Sequence, residues 1–135
     1  MKESLIPDMY TLRIEPLDVR LSVCKVSDYS GIDPEQPFVF TGCTDEEKSL
    51  VCPTALVPEN AFSREDGWRA FRICGQLDFS LTGILAKISK KLADAGIGIF
   101  ALSTYNTDYI LIKEENYARA LELLCSDGFD KEPLC

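Results

Sequence analysis

Trp68-Arg69-Ala70-Phe71-Arg72-Ile73-Cys74-Gly75 leads, past Gln76 and Leu77, into Asp78-Phe79-Ser80-Leu81-Thr82-Gly83-Ile84-Leu85. A second polar stretch, Ser103-Thr104-Tyr105-Asn106-Thr107-Asp108-Tyr109-Ile110, follows. Together they read as strand, polar turn, helix, strand, polar turn, strand and helix. The first strand is expected over Trp68–Ile73, bounded by Asp66-Gly67 and Gly75. Ser80 is an N-cap candidate for a helix through Ala95. Leu81, Ile84, Leu85, Ile88, Leu92 and Ala95 fall on one face at helical spacing, and Lys87, Lys90, Lys91 and Asp94 on the other. Gly96 sits where a left-handed residue ends a helix.

Further strands are expected over Ile97–Ser103 and Tyr109–Lys113, joined as a hairpin by Tyr105-Asn106-Thr107-Asp108. A second helix is expected from about Asn116, with Tyr117, Ala120, Leu121 and Leu124 inward and Asp127-Gly128 closing it. The order β-α-β-β-α is most of a ferredoxin-like α+β unit.

The first half is richer in strands and less regular. Tyr10, Leu12 and Ile14 alternate with polar neighbours, and Leu21–Val26, Phe38–Thr41 and Leu50–Cys52 are apolar runs of strand length. Ser27–Pro34 is expected as a loop, and Pro53 and Pro58 bracket another that cannot be a long helix. This half resembles a reduced copy of the second, with its helices shortened.

Composition narrows the function. At 135 residues the chain suits one ordinary domain or two very small units sharing a core. A net charge of −8 argues against nucleic acid and against an anionic membrane surface. The charged opening segment and the lack of long apolar runs give the expectation of a cytoplasmic protein without a signal peptide or membrane span. Six cysteines occur with no C-x-x-C pair, so neither a metal nor a disulfide is expected; Cys24 and Cys74 read as small apolar strand residues. The chain has no histidine, which removes Ser-His and Cys-His nucleophile pairs. Asp78 and Asp108 could form a carboxylate pair, but two small units leave little room for a deep catalytic cleft. A non-catalytic binding module is expected.

The three stretches beginning at Trp68, Asp78 and Ser103 closely resemble the small tandem ACT-domain proteins. These are relatives of the CASTOR-type arginine sensors and of aspartate kinase regulatory domains. Leu21–Val26 and Leu50–Pro58 look like that family's first unit. The resemblance implies two ferredoxin-like (βαββαβ) units, at 9–66 and 67–130, with antiparallel sheets carrying helices on one face. It also implies a homodimer, amino-acid binding at an interface between ACT units, regulation without catalysis, and no cofactor. The alternative is a ligand-free interaction or assembly module acting on an amino-acid metabolic enzyme.

An amino acid presents a carboxylate and an ammonium. The unpaired N–H groups at the helix start, over Leu81, Thr82, Gly83 and Ile84, suit the carboxylate, and Gly83 lets a ligand approach the backbone. Asp78 or Asp108 suits the ammonium. Thr104, Asn106 and Thr107 complete the expected site, with Ser80 as cap or contact. Blander roles stand beside these: Asp78 would favour the helix start by about 0.3–1 kcal/mol, and Asp108 would be a turn residue. In the related arginine sensors an aspartate in a motif similar to Ser103–Asp108 receives the ligand's cationic part. The flanking residues differ, so arginine specificity does not follow.

Overall fold

The computed structural model describes residues 13–74, 81–126 and 130–131. In chain order the elements are β1 (Arg13–Val26), β2 (Phe40–Cys43), β3 (Lys48–Pro53), a 3-10 turn (Thr54–Leu56) and β4 (Ala61–Cys74). Then come α1 (Leu81–Asp94), β5 (Phe100–Ser103), β6 (Asp108–Lys113), α2 (Glu114–Ser126) and β7 (Asp130–Lys131). Two compact units emerge: Val19–Trp68, and Arg69 onward together with the residues up to Asp18. The division runs inside the two long strands β1 and β4.

In the unit Val19–Trp68 the strand order is β2-β3-β1-β4. β2 and β3 form an antiparallel hairpin, and β3 pairs antiparallel with β1 from Leu21↔Pro53 to Lys25↔Ser49. Cys24, Val26, Ile32, Leu50 and Cys52 form its buried cluster, with Tyr29, Val39, Val57 and Ala61 packed on it. Among the described residues of this unit the 3-10 turn is its only helical element, in keeping with Pro53 and Pro58 on either side. Ser22, wholly buried on β1, donates to Asp66 Oδ1 at 2.6 Å and lies 2.9 Å from Thr54 Oγ1.

Burial pushes the Cys52 thiol up to about 11, and Cys24 beside it is raised for the same reason. The unfolded chain ionises Cys52 near the ordinary value of 9.0, before the folded protein does. Its contribution to stability is therefore full below that pH and declines as pH rises toward 11. Urea unfolding between pH 8 and 10.5 should show a steeper loss of stability in the wild type than in Cys52→Val; equal slopes would refute the assignment.

The other unit has the order β1-β4-β6-β5, with β7 parallel to β1 through Arg13↔Asp130 and Ile14↔Lys131. Its succession β4-α1-β5-β6-α2-β7 is the ferredoxin-like α+β arrangement expected. Phe71 and Ile73 of β4 and Ile110 and Ile112 of β6 share one core with Ile84, Ile88 and Leu92 of α1 and Tyr117, Ala120 and Leu124 of α2. Both helices therefore cover the same face of the sheet. The Tyr117 hydroxyl donates to the Ala70 carbonyl at 2.5 Å, tying α2 to β4.

α1 ends as a Schellman motif. Gly96 takes φ 77°, its N–H bonds Ala93 O at 2.9 Å, and the Ile97 N–H bonds Leu92 O at 2.9 Å. That cap explains one departure from expectation: β5 starts at Phe100 rather than Ile97, because Ile97 is part of the cap and its side chain is in the core. α2 starts at Glu114, earlier than Asn116, and Glu114 and Glu115 place negative charge at the positive end of the helix dipole.

The long strands are the larger departures. β4 runs through Asp66-Gly67, with Gly67 at φ 88° inside the strand rather than bounding it. β1 is one strand through Pro16, where two separate runs were expected; Pro16 lies beyond the two residues that β7 pairs. Cys74 is disulfide-bonded, against the expectation of free thiols, and its partner lies outside the described residues. Spacing rules detect only neighbouring cysteines; a pair brought together by folding leaves no such mark. Cys135, residues 10–12 and the closing Asp127-Gly128 also lie outside the described residues.

Candidate functional site

The β5–β6 hairpin carries the described part of the candidate site. Its register runs from Phe100↔Leu111 to Ser103↔Asp108, leaving Thr104–Thr107 as the turn. The Thr104 N–H donates to Thr107 O at 2.8 Å, and Thr104 Oγ1 donates to the same oxygen at 3.0 Å. Tyr105 and Asn106 project into solvent from the tip. Thr107 does something the sequence did not announce: its hydroxyl donates to the Ile73 carbonyl at 2.6 Å. The hairpin turn is thereby pinned to the end of β4. Residues 75–80 separate that strand end from the first turn of α1, whose Ile84 belongs to the same core cluster as Ile73.

Asp108 is the unusual member. Alternation along β6 puts it on the helix-covered face with Ile110 and Ile112, and it is only 4% exposed. Its Oδ1 accepts from the Ser103 hydroxyl at 2.6 Å. Among the described residues no lysine or arginine pairs with it. Arg72, on β4, is committed to Glu15 at 2.9 Å and to the Tyr109 hydroxyl at 3.3 Å. Buried carboxylates normally have a cation or several strong donors; among the described residues Asp108 has one neutral hydroxyl.

The helix start contributes differently from what its side chains suggested. Leu81, Thr82, Gly83 and Ile84 form the first turn, whose N–H groups have no acceptor within the helix itself. Ile84 is a core side chain at 8% exposure, leaving only its backbone for a ligand. Gly83 is exposed, and a Cβ there would meet nothing within 4 Å, so packing does not require glycine. Asp78 and Ser80 lie outside the described residues, as do the side chains of Leu81 and Thr82. Thr104, Thr107 and Asp108 are brought together; Asn106 is at the tip, facing solvent. Sequence reasoning missed Ser103 as a member. The hairpin register, which sets Ser103 across from Asp108, was the signal that could have found it.

The unit Val19–Trp68 offers a contrast. An open depression of about 590 Å³ is lined by Ser30, Gly31 and Ala55–Asn60. Ser30 Oγ donates to Asp28 at 2.6 Å and Asn60 Nδ2 donates to Asp28 at 3.1 Å, while Asn60 Oδ1 is buried without a partner among the described residues. No buried charge waits there.

Residues 63–126 match the profile of the ACT domain. They span most of β4, both helices and the hairpin, the elements that carry the candidate site. Those residues, just under half of the chain, are an ACT domain. Over 58 residues it is 41% identical to the human cytosolic arginine sensor for mTORC1 subunit 1, covering 42% of this chain and 18% of that one. The chain thus spans about a fifth of the length of the curated relatives it matches. Among solved structures, a protein of Agobacterium tumefaciens superposes with a TM-score of 0.78 at 27% identity, covering 90% of this chain and 92% of that one. Aspartate kinase of Clostridium acetobutylicum matches with a TM-score of 0.60 over 87% of this chain and 34% of its own, at 10% identity, a likeness of fold alone. The protein has no helix, among its described residues, long and apolar enough to cross a membrane.

Proposed function

We propose that this ACT-domain protein is a non-catalytic, cytosolic regulatory sensor that binds an amino acid. The observation that carries the reading is Asp108, a carboxylate buried to 4% exposure with no cation beside it among the described residues. A ligand ammonium supplies the missing charge. The first-turn N–H groups of α1, Leu81 to Ile84, receive the ligand carboxylate without any basic side chain. Asp78, Ser80, Thr104 and Asn106 are further candidate contacts, and Thr107 holds the hairpin against β4. The likeness of 58 residues of this chain to a protein named as an arginine sensor supports regulation over catalysis.

In this reading the ligand sits at an ACT–ACT interface whose second surface comes from another copy in a homodimer. Binding then shifts the relative stability of two arrangements that a partner protein reads.

A thermal-shift screen against the twenty amino acids tests the proposal. A ligand present at a hundred times its Kd stabilises the fold by about 2.7 kcal/mol, a rise of several degrees. A melting temperature that no amino acid moves would sink the sensor reading and favour a ligand-free assembly module. Light scattering over a range of concentrations tests the dimer, and a persistent monomer refutes it.

A further inference from the structure

We propose that the unit Val19–Trp68 docks a basic segment of a partner protein, carrying an aliphatic side chain, on the depression beside its 3-10 turn. The inference adds to the sensor reading the surface through which a partner is held, and it uses no residue of the hairpin site.

Shape and exposed apolar side chains mark the surface. In the other unit two helices cover the sheet; here, among the described residues, the 3-10 turn is the only helical element, and the depression lined by Ser30, Gly31 and Ala55–Asn60 stays open. Leu56 in that lining is 37% exposed, and Phe62, just past it at the start of β4, is 66% exposed. By strand alternation Phe62 shares a face of β4 with Asp66, whose carboxylate meets Ser22 beside Thr54 of the 3-10 turn. Apolar side chains left in water beside a depression are characteristic of an interaction surface. The walls are already in place: a Cβ on Gly31 would come within 2.7 Å of the Pro58 Cβ, so backbone and ring rest together before any partner arrives. Little ordering then opposes binding.

Asp28 supplies the polar anchor. Its Oδ1 accepts from the Ser30 N–H at 3.0 Å, the Ser30 hydroxyl at 2.6 Å and Asn60 Nδ2 at 3.1 Å. Ser30 and Asn60 both line the depression, so the carboxylate is fixed at its rim, and no donor among the described residues reaches Oδ2. The Ser30 hydroxyl and N–H hold this carboxyl below the ordinary carboxylate value, which keeps it ionised at neutral pH.

Charge selects the occupant. Residues 27–60 hold seven carboxylates, all exposed, against the single Lys48, a net −6 of the −8 on the whole chain. A second copy would bring the same charge to the same surface, and nucleic acid or an anionic membrane would be repelled. A cationic segment fits: its aliphatic group covers Leu56 and Pro58 while an arginine or lysine meets Oδ2 of Asp28.

The test titrates fluorescent peptides into the full chain in the absence of free amino acids. One consists of Arg-Leu-Ser repeats, another has serine for each leucine, and a third has glutamate for each arginine. The wild type is expected to bind the first saturably, about tenfold or more tightly than either of the others. Asp28→Asn, which keeps an acceptor for Ser30, and Leu56→Ser should each weaken binding by about fivefold or more. Asp45→Asn removes an equally exposed carboxylate outside the depression and should change affinity by no more than about twofold. Equal losses in Asp28→Asn and Asp45→Asn would reduce the attraction to net charge and overturn the proposal. Binding of the leucine-free peptide as tight as the first, or no binding at all, also overturns it. Self-association in light scattering that Leu56→Ser abolishes would give the surface to a second copy and overturn it likewise. None of these outcomes bears on the amino-acid thermal-shift screen, and a failed screen beside a positive titration leaves the docking surface standing without the sensor.

Discussion

Replacing Phe71 by alanine is expected to lower the unfolding free energy by about 3–5 kcal/mol. Phe71 is completely buried in β4 and belongs to the cluster that joins β4 and β6 to α1 and α2. Truncation removes the transfer energy of the ring and leaves a cavity that Ile88, Leu92, Ile110 and Tyr117 cannot all collapse to fill, because they are held by backbone pairing and by the Tyr117–Ala70 bond. Domains of this size have about 5–15 kcal/mol in total, so the variant should be partly unfolded at 37 °C. Urea midpoints provide the measurement. Tyr105→Ala is the control: Tyr105 is wholly exposed at the hairpin tip and should change stability by no more than about 0.5 kcal/mol. A loss below about 1 kcal/mol in Phe71→Ala would mean that the helices do not pack on this face.

Asp108→Ala should do the opposite: leave the fold intact and remove the response to ligand. Breaking a buried charge pair by deleting one partner costs roughly 3–5 kcal/mol, so ligand affinity should fall by a factor of about a hundred or more. The ligand-free protein should be as stable as the wild type or more so, because a buried charge with only the Ser103 hydroxyl for company is itself a cost. Asp108→Asn separates charge from shape, since its amide oxygen can still accept from Ser103. It should bind as poorly as the alanine variant. Calorimetric titration of whichever amino acid raises the melting temperature, together with unfolding of the free proteins, checks both halves. A destabilised Asp108→Ala with an undiminished ligand response would make Asp108 a structural residue and move the site elsewhere.

These two positions differ in how far the chain announces them. Phe71 alternates with Ile73 in a β-rich run, so its burial follows from period alone. Ile84, Ile88 and Leu92 likewise mark the buried face of α1, and Gly96 its end, because helix periodicity and capping are local properties of a few neighbouring residues. Asp108 was legible as a chemically interesting group in a polar turn, but its depth was not. Burial of a hairpin residue depends on what covers the sheet, and α1 and α2 come from elsewhere in the chain. Thr107 shows the same limit: it reads as a ligand contact, yet its hydroxyl is bonded to Ile73 O, a partner 34 residues away.

Taken by itself, the chain determined the elements, the hairpin, the α+β class and the absence of histidine chemistry, since each rests on residue type and short-range spacing. Only the tertiary structure decided that β1 passes through Pro16, that β4 carries Gly67 inside it, and that Ser103 and Thr107 are spent on holding the hairpin. It also decided that Asp108 is buried to 4% exposure with no lysine or arginine paired to it among the described residues. The physical reason is common to all four. Strand pairing and burial are settled by contacts between residues distant in sequence, whose free energy outweighs the weak local preferences of a proline, a glycine or a polar side chain.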